Sequence, residues 1–397
     1  MSEAPAAGTG SSCAVCQRPF AQPFLSLSGL PVLCNASWPT REEARLAPRG
    51  DIALAFCPAC GMIANTAFDE HLVTYTPAYE NSLHFSPRFQ AHAEELAHRL
   101  VETYDLRGKT VVEIGCGKGD FLGLICAVGE NHGIGYDPSY EDDRSTDVLV
   151  NPHVRFVPRL WDGQLAQADL VCCRHVLEHV SRPSALVGGI AAVIGRRRPA
   201  VYFEVPDAAY MLRETAIYDI VYEHCSYFSA APLRRLFSGH GFDVVTVNAS
   251  FGGQYLYLEC TGGGGTERPA PADEPALSEL AEQVSSFGHR SSGALAMWAE
   301  RLEHLEREGG EVVVWGAGSK GVSFVNMVAG RERVSRLVDM NPRKRGRFVP
   351  VSGQEVVAPQ DLVGSPPQTV IVMNPMYVEE VRAQLHGLGL APEILSA

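Results

Sequence analysis

The residues most able to do chemistry form a glycine-rich turn at the end of an apolar segment. The turn spans Val111–Gly119 with the sequence VVEIGCGKG, and a second short apolar segment later ends in Asp137. Glycines let a backbone approach a ligand without Cβ clashes, and an acid after the next strand can receive the hydroxyls of a ribose. The pattern predicts nucleoside recognition at the carboxyl ends of parallel strands. Its spacing differs from the G-x-G-x-x-G of dinucleotide sites.

A second segment packs a carboxylate, an imidazole and three aromatic rings into a short stretch. It spans Tyr222–Ser229 (YEHCSYFS) and follows Ala208–Ile220, which we predict to be a helix. Because an imidazole titrates near neutral pH, His224 is the candidate proton acceptor, and Glu223 could raise its basicity or fix its tautomer. Composition alone is equally compatible with a helix-terminal histidine and a solvent-facing glutamate.

A third segment, Arg174–Val180 (RHVLEHV), follows a predicted strand, where side chains of a doubly wound sheet face the ligand crevice. The spacing of His175, Glu178 and His179 invites comparison with a metal-binding H-x-x-E-H motif. The sequence offers no third ligand, and a glutamate in a first helical turn also favours the helix dipole. We therefore interpret His179 as a residue of the substrate pocket and Arg174 as part of the cofactor site.

Four of the eleven cysteines form two C-x-x-C pairs, Cys13/Cys16 and Cys57/Cys60. Each pair can aim two thiolates at one ion, and two pairs complete a tetrahedral zinc site with no open position for water. We therefore predict a structural zinc ion rather than a catalytic one.

Composition limits the possible partners of the chain. It has 397 residues with 46% hydrophobic and 20% charged residues, which is typical of a globular protein with two or three domains. A net charge of −13 argues against nucleic acid as the main partner. No stretch has the length of apolar residues that a bilayer requires, and the first dozen residues lack a secretory signal. We expect a cytoplasmic protein with a small-molecule substrate, and neither nucleic acid nor membrane as partner.

The basic run Arg343–Arg347 is interpreted as a solvated loop or a local phosphate contact.

The order of the segments predicts several domains. From Thr110 onward apolar strands alternate with helical stretches, which indicates a mostly parallel sheet covered by helices. A second glycine turn, Gly316–Gly321, has G-x-G-x-x-G spacing and is followed by Asp339. We predict a disordered tail (1–12), a zinc-binding module (13–75), a nucleoside-binding core (76–261), a linker (262–276) and a second α/β domain (277–397).

Together these motifs resemble the three-domain S-adenosylmethionine-dependent C-methyltransferases, whose best-understood members methylate C-3 of nucleotide-linked 4-keto deoxysugars. The E-x-G-x-G-x-G turn resembles the S-adenosylmethionine site of class I methyltransferases, and the resemblance covers nearly the whole chain. It implies an α/β fold: a class I methyltransferase (Rossmann-like) core, a small N-terminal zinc-binding module and a C-terminal Rossmann-like α/β domain. It rests on the four paired cysteines, Glu113–Gly119, Glu178-His179, Glu223-His224, Gly252-Gly253, and Gly316–Gly321 with Asp339–Pro342.

The resemblance also implies roles for individual residues. His224 resembles the general base that removes a proton next to a carbonyl, and Glu223 its neighbouring carboxylate. Tyr79, Tyr222 or His179 would donate a hydrogen bond to the enolate oxygen. Where the sugar enzymes have a tyrosine two residues before the glutamate, this chain has Val221. The expected S-adenosylmethionine site consists of Glu113, Gly115, Cys116, Gly117, Asp137 and Arg174, and the C-terminal glycine turn would belong to a substrate-side cleft.

Alternative functions remain open at this level. One is O- or N-methylation of a non-sugar natural-product intermediate, which also needs a base. Another is an NAD(P)-dependent oxidoreductase that uses Gly316–Gly321. A non-catalytic binding protein on the same scaffold is disfavoured, because Glu113, Asp137 and His224 are all intact.

Overall fold

The computed structural model of the protein describes residues 12–141, 152–165, 167–195, 197–262 and 274–397. The predicted disordered tail, apart from Ser12, and residues 263–273 of the predicted linker lie outside these ranges. None of the helices in the described ranges combines the length and apolarity that a bilayer crossing requires.

Helices and strands alternate along most of the described chain. The helices are α1 (Arg41–Arg45), α2 (Pro87–Thr103), α3 (Asp120–Gly129), α4 (Pro183–Ile194), α5 (Ala208–Glu214), α6 (Ala230–Gly239), α7 (Glu274–Glu308), α8 (Ser319–Met327) and α9 (Val378–Gly387). The strands are β1 (Leu25–Pro31), β2 (Arg49–Phe56), β3 (Ile63–Asn65), β4 (Thr110–Ile114), β5 (His132–Tyr136), β6 (Val154–Val157), β7 (Leu170–Arg174), β8 (Ala200–Pro206), β9 (Ser226–Tyr227), β10 (Asp243–Ser250), β11 (Tyr255–Thr261), β12 (Val312–Trp315), β13 (Val334–Val338), β14 (Glu355–Val357), β15 (Thr369–Val372) and β16 (Glu393–Ser396).

The central sheet has the strand order β10-β11-β8-β7-β4-β5-β6. The strands from β8 to β6 run parallel, whereas β11 is antiparallel to both β8 and β10. A parallel sheet that ends in an antiparallel hairpin is the class I methyltransferase arrangement, so the predicted fold class is confirmed. Because β4 lies at the centre with β5 and β7 on either side, the crevice opens at the carboxyl end of β4.

Local sequence explains where two of the helices begin and end. Helix α2 starts at Pro87, because proline fits the first turn and the Ser86 hydroxyl accepts a hydrogen bond from Phe89 N–H. The helix predicted over Ala208–Ile220 is wrong in its second half. Thr215 adopts a left-handed conformation (φ 56°) that ends α5, and a separate 3₁₀ turn follows at Ile217–Asp219.

The N-terminal sheet has the order β1-β2-β3-β9 and is antiparallel throughout. Its fourth strand comes from the segment that follows Glu223 and His224, since Ile63 pairs with Tyr227 and Ala64 with Ser226. The N-terminal module is therefore completed by a strand from the middle of the chain, well beyond the predicted boundary at residue 75.

The C-terminal sheet is fully parallel with the order β14-β13-β12-β15-β16, so the predicted Rossmann-like domain is present. The long helix α7 precedes it and packs against the other parts of the chain. Phe287 contacts Phe24 of the N-terminal module edge to face, with ring centroids 6.1 Å apart. Arg290 Nη2 donates to Leu212 O, in α5, at 2.7 Å.

Candidate active site

The glycine turn after β4 requires glycine at its tightest positions. Gly115 and Gly119 both adopt positive φ angles, 73° and 89°. A Cβ on Gly115 would lie 2.1 Å from the Val176 side chain, and one on Gly119 would lie 2.5 Å from the Phe156 ring. The backbone can therefore close over β4 only without side chains at these positions.

A cavity of about 230 Å³ opens over this turn at the carboxyl end of β4. Asp137 is not among its lining residues. Both oxygens of its carboxylate have partners in the chain, since Oδ2 accepts from Gly117 N–H at 2.8 Å and Oδ1 accepts from Ser139 N–H and Oγ–H, both at 2.7 Å. The other predicted cofactor residues line the cavity directly: Glu113, Gly115, Cys116, Gly117 and Arg174.

Two buried ionisable side chains, Glu113 and Arg174, line the cavity. Glu113 is 3% exposed, its Oε2 has no hydrogen-bond partner among the described residues, and burial raises its pKa to about 7. Arg174 is paired with Glu204, with Nη2 and Nε at 3.0 and 3.1 Å from Oε1, and its guanidinium lies 4.2 Å from the centre of the Phe121 ring. Arg174 is thus neutralised, whereas Glu113 has a free acceptor for a cation.

The same cavity is lined by the predicted catalytic residues Tyr79, His179, Glu223 and His224. Glu223 accepts hydrogen bonds from the Tyr79 hydroxyl at 2.6 Å and from Cys34 N–H at 2.9 Å. Because Cys34 belongs to the N-terminal module, that module directly positions Glu223. Burial raises the pKa of Glu223 above its ordinary value, and His179 opposes this shift.

The two histidines lie against each other with ring centroids 4.8 Å apart and planes nearly perpendicular. His179 Nδ1 lies 2.8 Å from the Tyr75 hydroxyl and 3.1 Å from Glu223 O. His224 Nδ1 is buried and has no hydrogen-bond partner among the described residues. Burial and the neighbouring His179 lower the pKa of His224 to about 3. His224 is therefore neutral and carries a lone pair on one of its two ring nitrogens, and the same shift makes it a weaker base than an ordinary imidazole.

The four paired cysteines come together as predicted from their spacing. Cys13 Sγ lies 3.6 Å from Cys60 Sγ, and Cys16 Sγ lies 3.5 Å from Cys57 Sγ. All four sulfurs lie within 4.8 Å of one another. Sulfurs bound to a tetrahedral zinc ion at 2.3 Å would be roughly 3.8 Å apart, so this donor set fits a zinc ion.

The two cysteine turns also have the same backbone. Gln17 and Gly61, the residues after each pair, both adopt left-handed conformations, with φ angles of 62° and 81°. Their N–H groups donate to Cys13 O and Cys57 O, each at 2.9 Å. Two matching turns that face each other are what a four-thiolate site requires.

Two protein-family models match the chain. A methyltransferase domain matches residues 87–247, and a C-methyltransferase C-terminal domain matches residues 273–390. Each model covers less than half of the chain, and together they support an assignment to the S-adenosylmethionine-dependent C-methyltransferases. The protein is therefore a methyltransferase that uses S-adenosylmethionine. The C-terminal match assigns Gly316–Gly321 to a methyltransferase domain rather than to an oxidoreductase.

Known proteins similar to this C-methyltransferase include C-methyltransferase NovU from Streptomyces niveus. It is 26% identical over 314 residues, which cover 73% of this chain and 72% of NovU. Two solved structures are magnesium protoporphyrin IX methyltransferase from Synechocystis PCC 6803 with bound S-adenosylhomocysteine and 1,6-didemethyltoxoflavin-N1-methyltransferase from Burkholderia thailandensis. The first is 19% identical with a TM-score of 0.35 and covers 44% of this chain and 83% of its own. The second is 17% identical with a TM-score of 0.36, and its match covers 45% of this chain and 81% of the toxoflavin methyltransferase chain.

Tyr222 of this C-methyltransferase lies away from the cavity, unlike its predicted position. Its ring packs so closely on Gly50 that a Cβ there would lie 2.1 Å from it. Its hydroxyl accepts from Asp69 N–H at 2.8 Å. Tyr222 thus anchors the N-terminal module, and of the three proposed hydrogen-bond donors only Tyr79 and His179 line the cavity.

Sequence reasoning did not assign a role to His175, although the structure places it in the cavity wall with an unusual backbone (φ 53°). Its Nε2 lies 3.2 Å from Glu204 Oε1, and its Nδ1 lies 3.7 Å from Glu178 Oε1. Burial disfavours its charged form, but Glu178 and Glu204 outweigh burial and raise the pKa of His175 to about 9. The signal in the sequence was the H-x-x-E-H spacing.

The basic run Arg343–Arg347 is solvent-exposed at Arg343 and Arg345, whereas Lys344 is buried. Lys344 Nζ donates to Ala317 O at 3.0 Å and lies 3.7 Å from the Asp339 carboxylate. Arg347 Nη2 donates to Ser37 O at 3.0 Å. The Lys344 contacts lie within the C-terminal domain, and the Arg347 contact links that domain to the N-terminal module.

A second cavity of about 200 Å³ opens over the C-terminal glycine turn. Asp339 belongs to its wall, but its carboxylate accepts from Ala317 N–H and Asn341 N–H, both at 2.9 Å. Lys320 lines both cavities and forms an ion pair with Asp219 of the first. The residues common to the two cavities are Ser82, Leu83, Tyr255, Gly318, Ser319 and Lys320.

Proposed function

We propose that the enzyme transfers a methyl group to a carbon next to a carbonyl of a small-molecule acceptor, after His224 removes a proton from that carbon. The observation that carries this proposal is that the glycine turn and His224 line a single cavity. A methyl donor and a deprotonated carbon must meet in such a space for transfer to occur. Holding both partners there lowers the entropic part of the barrier.

Each residue around the cavity has a proposed task. Bound S-adenosylmethionine supplies an electrophilic methyl group on a sulfonium sulfur. The Glu113–Gly117 turn and Arg174 hold the cofactor, and the Glu113 carboxylate faces its positive charge. The free lone pair of His224 accepts the proton of the acceptor carbon. Tyr79 and His179 line the same cavity, and either would donate a hydrogen bond to the developing enolate oxygen, Tyr79 by turning its single O–H away from Glu223 and His179 from Nε2 while Nδ1 accepts from Tyr75.

We also propose that Cys13, Cys16, Cys57 and Cys60 hold a structural zinc ion. Four thiolates leave no position for water, so the ion would stabilise the N-terminal module rather than take part in the reaction. We propose domain boundaries at 75/76, 261/262 and 276/277, with β9 assigned to the sheet of the N-terminal module.

The acceptor is proposed to have two parts, as a nucleotide-linked keto-deoxysugar does. The two cavities share a wall, so an elongated acceptor can place its reactive part beside His224 and its other part over the C-terminal glycine turn. Lys320 stands at their junction, and its side chain is 25% exposed. Its ammonium group can therefore leave Asp219 and form an ion pair with an anionic group of the acceptor instead.

The experiment that tests the methyl transfer uses protein purified without added ligand. Mass analysis should find bound S-adenosylhomocysteine or S-adenosylmethionine together with any retained acceptor. After reaction with cofactor labelled with ¹³C in its methyl group, NMR should place the label on a carbon next to a carbonyl. A label on oxygen or nitrogen would contradict the proposal.

We expect the affinity for S-adenosylmethionine to rise with pH through the pKa of Glu113. Below a pKa of about 7 this side chain is protonated, and a cationic cofactor that favours the carboxylate must displace the proton. The expected gain is up to about tenfold per pH unit below the pKa, and it levels off above it. Calorimetry across this range measures the effect. Glu113→Gln should bind more weakly with a flat pH profile, and an equally flat profile for the parent would contradict this role.

Replacing Lys320 by alanine should raise KM for a nucleoside diphosphate-linked 4-keto-6-deoxyhexose, with kcat little changed. Losing a hydrogen bond to a charged group costs about 1.5–3 kcal/mol, or about 10- to 150-fold in KM. The matched control is Lys109→Ala, an exposed lysine at the amino end of the central sheet. An unchanged KM for Lys320→Ala would remove Lys320 from acceptor binding.

A further inference from the structure

Three side chains on the cavity wall converge without bonding to one another. Glu178, His179 and His224 each offer a ligand atom, and these atoms lie within 4.8 Å of one another. Glu178 is 2% exposed, yet its Oε2 has no hydrogen-bond partner among the described residues. His224 Nδ1 is in the same situation. Leaving two buried polar atoms unsatisfied is costly unless something else binds them.

The second ring nitrogen of His179 and the second carboxylate oxygen of Glu178 already have neighbours in the protein. His179 uses Nδ1 toward the Glu223 carbonyl and the Tyr75 hydroxyl, which leaves Nε2 available. Glu178 has Oε1 beside His175 and Oε2 unpartnered. In metal sites, a ligating histidine usually has its other ring nitrogen at a carbonyl. A ligating carboxylate usually has its other oxygen held by a neighbouring group.

We propose that Glu178, His179 and His224 bind a divalent transition metal ion, with Zn²⁺ the best match, and that the bound ion prevents methyl transfer. Two imidazoles and one carboxylate are a common zinc ligand set, and the cavity provides an open fourth position. In a tetrahedral site with bonds of about 2.0–2.1 Å the ligand atoms would be roughly 3.3 Å apart. Side-chain rotations that close the present separations of up to 4.8 Å would complete it.

The inhibition follows from the position of His224. A metal ion that coordinates its free nitrogen occupies the lone pair that would accept the proton of the acceptor carbon. This part of the inference rests on the proposed role of His224 as the base, whereas the binding of the ion does not. The site is also distinct from the four-cysteine cluster, since the two sets share no residue.

The binding test counts zinc ions in the full-length protein. After equilibration with excess ZnCl₂ and gel filtration, elemental analysis should give two ions per chain for the parent and one for Glu178→Gln. Competition with a chromophoric chelator should show the second ion weakened at least about 100-fold in this variant. His84→Asn, which changes another histidine of the same cavity outside the cluster, should retain two ions. One ion in the parent, or two in Glu178→Gln, would overturn the proposal.

The activity test adds ZnCl₂ to protein whose cysteine cluster is already loaded. Methyl transfer by the parent and by His84→Asn should fall as the second ion binds and return after dialysis against zinc-free buffer. Transfer that is unchanged or faster with two ions bound would overturn the inhibition. If the parent transfers no methyl group to any acceptor, the proposed function fails, while the count of bound ions still decides whether the site exists.

Discussion

We expect His224→Asn to lower kcat about 10²- to 10⁴-fold while leaving S-adenosylmethionine binding intact. This range is what a positioned general base contributes. Asparagine has a similar size but cannot accept a proton near neutral pH. Because His224 is not part of the Glu113–Gly117 turn, we expect cofactor affinity measured by calorimetry to change less than about threefold, within the range usual for substitutions that remove no contact.

A second measurement separates proton removal from methyl transfer. With S-adenosylhomocysteine bound in D₂O, the parent should exchange the α-proton of a nucleoside diphosphate-linked 4-keto-6-deoxyhexose for deuterium, and His224→Asn should not. The matched control is His289→Asn, an exposed histidine in α7, which should behave as the parent does. Turnover or exchange by His224→Asn at the parent's rate would assign the base to another residue, and His179 would be the next to test.

Replacing Cys57 by serine is expected to release the structural zinc ion and abolish most activity. Zinc binding provides much of the folding free energy of small metal-stapled modules, and this loss should lower Tm by about 10 °C or more. Turnover should fall because β3, which follows Cys57, pairs with β9, and because Cys34 N–H holds Glu223. A misplacement of about 1 Å near reacting groups can cost about 10²-fold in rate.

The control for this variant is Cys126→Ala, which changes a buried thiol in α3 outside the cluster. It should retain its zinc ion and most of its turnover, with a small loss of stability from the cavity it creates. Zinc content measured with Tm and kcat distinguishes the two variants. A Cys57→Ser protein that retains one zinc ion and full turnover would show that the cluster neither holds the ion nor supports the site.

Much of the fold could be predicted because its signals are local. The strands of the core are short apolar runs between turn residues, so the alternation from Thr110 onward predicted the mostly parallel central sheet. The cysteine cluster was predictable because each pair forms its own turn. The end of α5 was missed, since a left-handed conformation at Thr215 has no clear signal in the sequence.

The contacts that could not be predicted are those between segments far apart in the sequence. Tyr222 was expected in the cavity because it adjoins Glu223, but the N-terminal module turns it toward Asp69. The proximity of His224 to Glu178 and His179 was not visible because these residues are far apart along the chain, and His224 directly precedes the segment whose strand β9 pairs with β3. Neither contact follows from spacing along the chain.

The pairing of β9 with β3 also limits which truncated or chimeric forms of this protein can be active. A truncated core or a chimera that exchanges the first 75 residues would leave Ser226 and Tyr227 as an unpaired edge, with the preceding histidine unsupported. Competence for turnover would then arise only after the two distant strands had met during folding. Recovery of activity after denaturation should accordingly trail the recovery of cofactor binding.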